Sequence, residues 1–197
     1  MVNLTINFLD EALNYRRKFG GGKNQSIAKA CGISKGYKTL IDATAGLGED
    51  GFILASLGFQ VTLIERNPDI HQALNAALAE ASANQPNEIS DILPRLSLHQ
   101  GEAKAIIPNL PQAEVILLDP MFPEREKSAL VKKPMRTLKT IVGEDSDADA
   151  LLPIALQYAT KRVVVKRPKR APFLNQQKPD FQLLGKSSRF DVYLAKS

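Results

Sequence analysis

Residues 40–51 read L-I-D-A-T-A-G-L-G-E-D-G. An apolar run ending in an acid and a turn of small residues is the pattern of a strand that feeds a helix. The turn holds a literal G-x-G-x-x-G at Gly46, Gly48 and Gly51. Glycines in such a turn let the backbone approach a pyrophosphate at a helix N-terminus, which alone would suggest a dinucleotide. The surrounding acids argue otherwise. Asp42 lies four residues before the first glycine, and Glu49 and Asp50 stand where the helix opens. Their carboxylates compete with a pyrophosphate for the same amide N–H groups and repel it. A cationic cofactor with a ribose and an amino acid tail, such as S-adenosylmethionine (SAM), meets no such objection.

Outward from this turn, the rhythm from residue 38 onward is β-α-β-α. Short apolar runs with turn signals beside them predict strands at residues 39–43, 60–65, 96–99, 115–119 and 162–166. Between them lie helix-like segments. Asn67 as N-cap and Pro68 at the first position open one that carries Ile70, Leu74, Leu78 and Ala81 at helical spacing. Another starts near Ser146 and carries Leu151, Leu152, Ala155 and Tyr158, with Pro153 near its start. Alternation of this kind implies an α/β fold with a parallel sheet covered on both faces. Residues 181–184 and 190–194 add two β-like runs around Gly185, an antiparallel hairpin ending a seven-stranded, mostly parallel sheet. That is the Rossmann-like architecture of class I methyltransferases, and it predicts a methyltransferase domain over residues 38–197.

Residues 1–37 read as an N-terminal strand and helix appendage with a basic, glycine-rich loop. Leu4, Ile6 and Phe8 continue an alternation begun at Val2, the pattern of a half-exposed strand. A short basic helix follows, then the break at residues 20–22, then a helical stretch over residues 26–31 stopped by Gly32.

The bulk properties narrow the function class. At 197 residues, the chain suits one well-filled domain with small appendages, and no apolar run is long enough to span a membrane. A single cysteine, Cys31, excludes an internal disulfide and fits a reducing compartment, so a cytoplasmic protein is expected. The net charge of +5 favours polyanionic partners. Basic residues cluster at Arg16, Arg17 and Lys18; at Lys132, Lys133 and Arg136; and at Lys161, Arg162, Lys166, Arg167, Lys169 and Arg170. Each cluster alone reads as a solvated face; three beside glycine- or proline-rich loops point to nucleic acid.

In a doubly wound sheet, ligands bind beyond the carboxyl ends of the strands. Four places qualify. The first is Asp42 with Gly46, Gly48, Glu49 and Asp50. The second is Glu65 with Arg66, at the end of the second strand, where a carboxylate can accept both ribose hydroxyls. The third is Gly101 with Glu102, a short polar loop placed to meet an adenine. The fourth is D-P-M-F-P at residues 119–123, directly after V-I-L-L. The lone pair of an exocyclic amine is delocalised into its base ring, so methylating it requires acceptors that hold the N–H groups and align the nitrogen. Asp119 and the Pro120 carbonyl supply two acceptors, and Phe122 supplies a ring to stack on the base. Other schemes lack support. His71 and His99 have no second ligand at metal spacing, so no metal is expected, and neither a G-x-S-x-G elbow nor a P-loop is present.

The segments R-R-K-F-G-G-G, D-A-T-A-G-L-G-E-D, E-R-N-P, D-P-M-F-P, K-S-A-L-V-K-K, K-R-V-V-V-K-R-P and R-F-D-V-Y resemble the bacterial ribosomal RNA small subunit methyltransferase J family. The resemblance runs from about residue 13 to the C-terminus. It implies a class I SAM-dependent fold and methylation of a guanine N2 at position 1516 of 16S rRNA, free or in the small ribosomal subunit. It implies cofactor contacts at Glu49, Asp50, Glu65, Arg66, Gly101, Glu102 and Asp119. The family pattern has an arginine at the position of Glu49, paired serines at those of Gly101 and Glu102, and a longer N-terminal region. Arg16, Arg17, Lys18 and the loop around Gly21 are expected to contact RNA phosphates, with Lys132, Lys133, Lys166 and Arg167 extending that surface. Three rival readings remain at this point: an NAD-linked oxidoreductase, from the glycine pattern and Glu65; a non-enzymatic RNA-binding assembly factor, from the basic clusters; and a DNA amino-methyltransferase, because the same acceptor motif serves adenine and cytosine.

Overall fold

A computed structural model describes residues 4–84, 89–121, 148–186 and 188–195. Seven strands form one sheet: β1 (Thr39–Asp42), β2 (Gln60–Glu65), β3 (Leu96–Gln100), β4 (Ala113–Leu118), β5 (Ala159–Pro168), β6 (Phe181–Leu184) and β7 (Ser188–Leu194). Their order is β3-β2-β1-β4-β5-β7-β6. The first five run parallel, while β7 pairs antiparallel with both β5 and β6. The predicted hairpin and seven-stranded sheet are therefore present.

The helices are α1 (Glu11–Phe19), α2 (Ser26–Ala30), α3 (Glu49–Ser56), α4 (Pro68–Asn84), α5 (Ala103–Ile106) and α6 (Ala148–Tyr158). Asn67 caps α4 as expected, its Oδ1 accepting from the Asp69 and Ile70 amides at 2.9 and 3.2 Å. One face of the sheet packs against α1 to α4 through Leu13, Ala28, Phe52, Leu74 and Ala77. The other packs against α5 and α6 through Ala103, Leu152 and Ala155. Covering on both faces explains the unbroken V-I-L-L of β4, where Val115 to Leu118 are all fully buried. Glu114 fixes the start of the neighbouring strand, accepting from the Lys38 and Thr39 amides at 2.6 and 3.1 Å.

The N-terminal strand expected over residues 2–8 is corrected: residues 4–7 form no strand, and Phe8 enters a turn. Asn7 Oδ1 accepts from the Leu9 amide, and Asp10 caps α1 by accepting from the Ala12 and Leu13 amides. These short polar side chains draw the backbone into a turn and helix start, which overrides the alternation. Phe8 is 1% exposed and stacks on Phe52 with ring centroids 5.0 Å apart. The segment thus contributes directly to the core shared with the sheet.

Candidate cofactor and acceptor site

The carboxyl ends of β1, β2, β4 and β5 meet at one place. After Asp42 the chain keeps contact with both neighbouring strands: the Ala43 amide donates to Leu117 O and the Ala45 amide to Ile64 O, each at 3.0 Å. Gly48 then takes φ +73°, a left-handed conformation natural to glycine, and α3 begins at Glu49. A Cβ on Gly48 would stand 2.8 Å from Leu74 Cδ1, so the turn lies flush against α4.

Glu65 organises this turn. Its Oε2 accepts from the Gly46 amide and its Oε1 from the Asn67 amide, both at 2.8 Å. The carboxylate is almost fully buried, and it ties the glycine turn to the β2–α4 connection. Gly101 joins the same rim, its amide donating to Glu65 O at 3.0 Å. Glu49 and Glu102 are exposed, and Arg66 is half-buried.

Asp119 lies one residue beyond β4. Its amide donates to Thr44 Oγ1 at 2.6 Å, so the acceptor motif and the glycine turn form one hydrogen-bonded unit. Leu118 pairs with Val165, which puts Asp119 and Lys166 level with each other on adjacent strands. Lys166 Nζ lies 2.8 Å from Asp119 Oδ2 and 2.7 Å from Asp50 Oδ2. The other oxygen of Asp50 meets Arg16 of α1 at 2.6 Å. Pro120 is buried behind Asp119.

The charges in this cluster set its protonation. Burial, reinforced by Asp50, pushes the Asp42 carboxyl up to about 7. Burial also disfavours an ionised Asp50, but Lys166 and Arg16 outweigh it and hold the group down to about 2. Asp119 is raised by burial, against the pull of Lys166. Lys166 itself is raised, because Asp119 and Asp50 overcome the burial that opposes its charge. Asp42, Asp50, Glu65 and Asp119 gather at this rim, with Lys166 and Arg16 paired to Asp50 and Lys166 also to Asp119. This acid-rich rim suits a ligand carrying positive charge and repels a pyrophosphate.

Three positions expected at the RNA surface make contacts within the protein. Lys166 is inside the site, engaged with two acids. Arg167 is 4% exposed, with its guanidinium donating to Pro172 O at 2.9 and 3.2 Å. Arg16 reaches inward to Asp50 rather than outward. Buried carboxylates and carbonyls bind these cations more strongly than water-exposed positions would reward them. Arg17 is half-buried, while Lys18 and Gly21 are exposed. Phe122, Lys132 and Lys133 lie outside the described residues. Thr44 is the member of this cluster that sequence reasoning missed; Lys166 and Arg16 were expected at the RNA surface and not beside Asp50. Lys166 did carry a signal, since it ends the apolar V-V-V run as Asp119 ends V-I-L-L.

The strand order, terminal hairpin, glycine turn and acid-rich rim together define a class I SAM-dependent methyltransferase. Residues 1–195 match the family described as "Putative SAM-dependent methyltransferase". The ribosomal RNA small subunit methyltransferase J of Cellvibrio japonicus is 50% identical over 196 residues, covering 96% of this chain and 74% of that protein. The protein of that name from Aeromonas salmonicida is 53% identical over 191 residues, covering 96% and 76%. A crystal structure of a SAM-dependent methyltransferase from Neisseria gonorrhoeae superposes with a TM-score of 0.77 at 39% identity, covering all of this chain and 76% of that one. The chain belongs to the ribosomal RNA small subunit methyltransferase J family.

Proposed function

We propose that this protein methylates the N2 amine of a guanine in small-subunit rRNA, at position 1516 of 16S rRNA as the family resemblance implies. The observation that carries the reading is the 2.6 Å bond from the Asp119 amide to Thr44, which sets the acceptor motif against the glycine turn. Asp42, Gly46, Gly48, Glu49, Asp50, Glu65, Arg66, Gly101 and Glu102 hold the cofactor. SAM supplies an electrophilic methyl whose bond to sulfur breaks as the bond to N2 forms. Asp119 and the Pro120 carbonyl accept the amine N–H groups and aim its lone pair, and Asp119 assists departure of the surplus proton. Phe122 stacks on the splayed-out base, and Arg17, Lys18, Gly21, Lys132 and Lys133 contact RNA phosphates.

The family match favours methyl transfer over the NAD-linked and non-enzymatic readings. Purified protein incubated with small-subunit rRNA and methyl-labelled SAM is expected to yield labelled N2-methylguanosine, and titration is expected to show saturable binding of SAM but not NAD. Saturable binding of NAD alone would overturn the reading.

A further inference from the structure

We propose that Lys166 is a positioning residue for methyl transfer, tying the Asp119 carboxylate to Asp50 of α3 so that Asp119 meets the substrate amine as an ionised, oriented acceptor. The inference rests on the role given to Asp119 above.

The geometry is a chain of four side chains, from α1, α3, β5 and the residue that follows β4. Arg16 of α1 holds one oxygen of Asp50, Lys166 of β5 holds the other, and Lys166 also holds Oδ2 of Asp119. The Lys166 side chain is 28% exposed, whereas that of Asp119 is 39% exposed and open to a ligand. A lysine suits this place because its compact ammonium carries three donors that can be shared between two carboxylates.

The groups around Asp119 show what the lysine offsets. Asp50 faces it from α3 and disfavours its ionisation, while Arg167 on β5 adds a weaker favourable charge. Burial works in the same direction as Asp50 and more strongly. Without Lys166, Asp119 takes up a proton more readily and loses the bond that fixes its rotamer. A protonated carboxyl presents a donor where the amine N–H needs an acceptor.

The test compares wild type, Lys166→Gln, Lys166→Arg and Asp119→Ala for methyl transfer to small-subunit rRNA, isolated from cells lacking the protein, across pH. Thermal melting verifies that each variant folds. Lys166→Gln is expected to lower kcat about tenfold or more and to move the acid limb of the kcat–pH profile upward. Lys166→Arg, which keeps the charge, is expected to recover part of the rate and to keep the wild-type acid limb. An unchanged kcat and acid limb in Lys166→Gln, with Asp119→Ala inactive, would overturn the role of Lys166 alone. Should the glutamine variant not fold, an arginine variant whose acid limb moves upward contradicts the proposal. An active Asp119→Ala would instead overturn the reading beneath it.

Discussion

Asp42 ends β1 and Asp119 follows the adjacent β4, yet the two differ in exposure. The Asp119 side chain is 39% exposed, and Asp119→Ala is expected to lower transfer by roughly a hundredfold or more while leaving the melting temperature nearly unchanged. Full methylation by that variant in a purified assay contradicts its role. Asp42 is 3% exposed, and burial lifts its carboxyl from 3.8 to about 7. Between these values the folded state keeps a proton that the unfolded chain has lost. Wild-type stability therefore declines through this window as pH rises and levels off above it. Asp50, held down to about 2, acts in the opposite sense, and its contribution disappears only in more acidic solution. Urea denaturation is expected to show Asp42→Asn gaining on wild type between pH 5 and pH 8, and parallel curves would refute the assignment. The acids at strand ends were legible because a polar residue that terminates an apolar run marks the carboxyl end of a buried strand. Their cation partners were not, because residues 16, 50, 119 and 166 meet only through the fold.

At the level of elements, the glycine turn and its neighbours follow closely from local chemistry. The strand of β1, the opening of α3 at Glu49 and the cap of α4 at Asn67 all stand where turn and capping signals put them. The N-terminal segment does not, since alternation over so few residues also fits an Asx turn leading into a capped helix. Gly51 illustrates a constraint that sequence alone does not display. A Cβ there would run into Leu63 of β2, so Gly51→Ala is expected to destabilise the fold by about 1–3 kcal/mol despite the better helix propensity of alanine. Urea midpoints measure this, and a stabilised variant would contradict the packing. Glu65→Gln tests the turn differently. An amide cannot accept from both Gly46 and Asn67 in the same pose, so SAM affinity is expected to fall about tenfold or more by calorimetry. Unchanged affinity would remove Glu65 from the cofactor site.

Across the whole molecule, the class of fold was readable from the β-α rhythm and terminal hairpin, because a doubly covered parallel sheet leaves long apolar strands and capped helices as its trace. The distribution of charge was not. The basic run of β5 looked like one RNA-facing cluster, yet Arg162 is buried, donating to Ala30 O at 3.0 Å, and Arg167 and Lys166 are engaged internally. Arg17 and Lys18 of α1 are the RNA contacts proposed above among the described residues. Replacing both with alanine is expected to reduce the salt dependence of rRNA binding by about one unit of slope for each phosphate no longer neutralised. A slope equal to that of wild type would place the RNA surface elsewhere. The central claim is that this methyltransferase acts on a guanine N2 of small-subunit rRNA, and nucleoside mass spectrometry of that rRNA from cells lacking the protein tests it most directly. The account predicts loss of N2-methylguanosine at the assigned position, restored by the wild-type chain but not by Asp119→Ala; an unchanged level would contradict it.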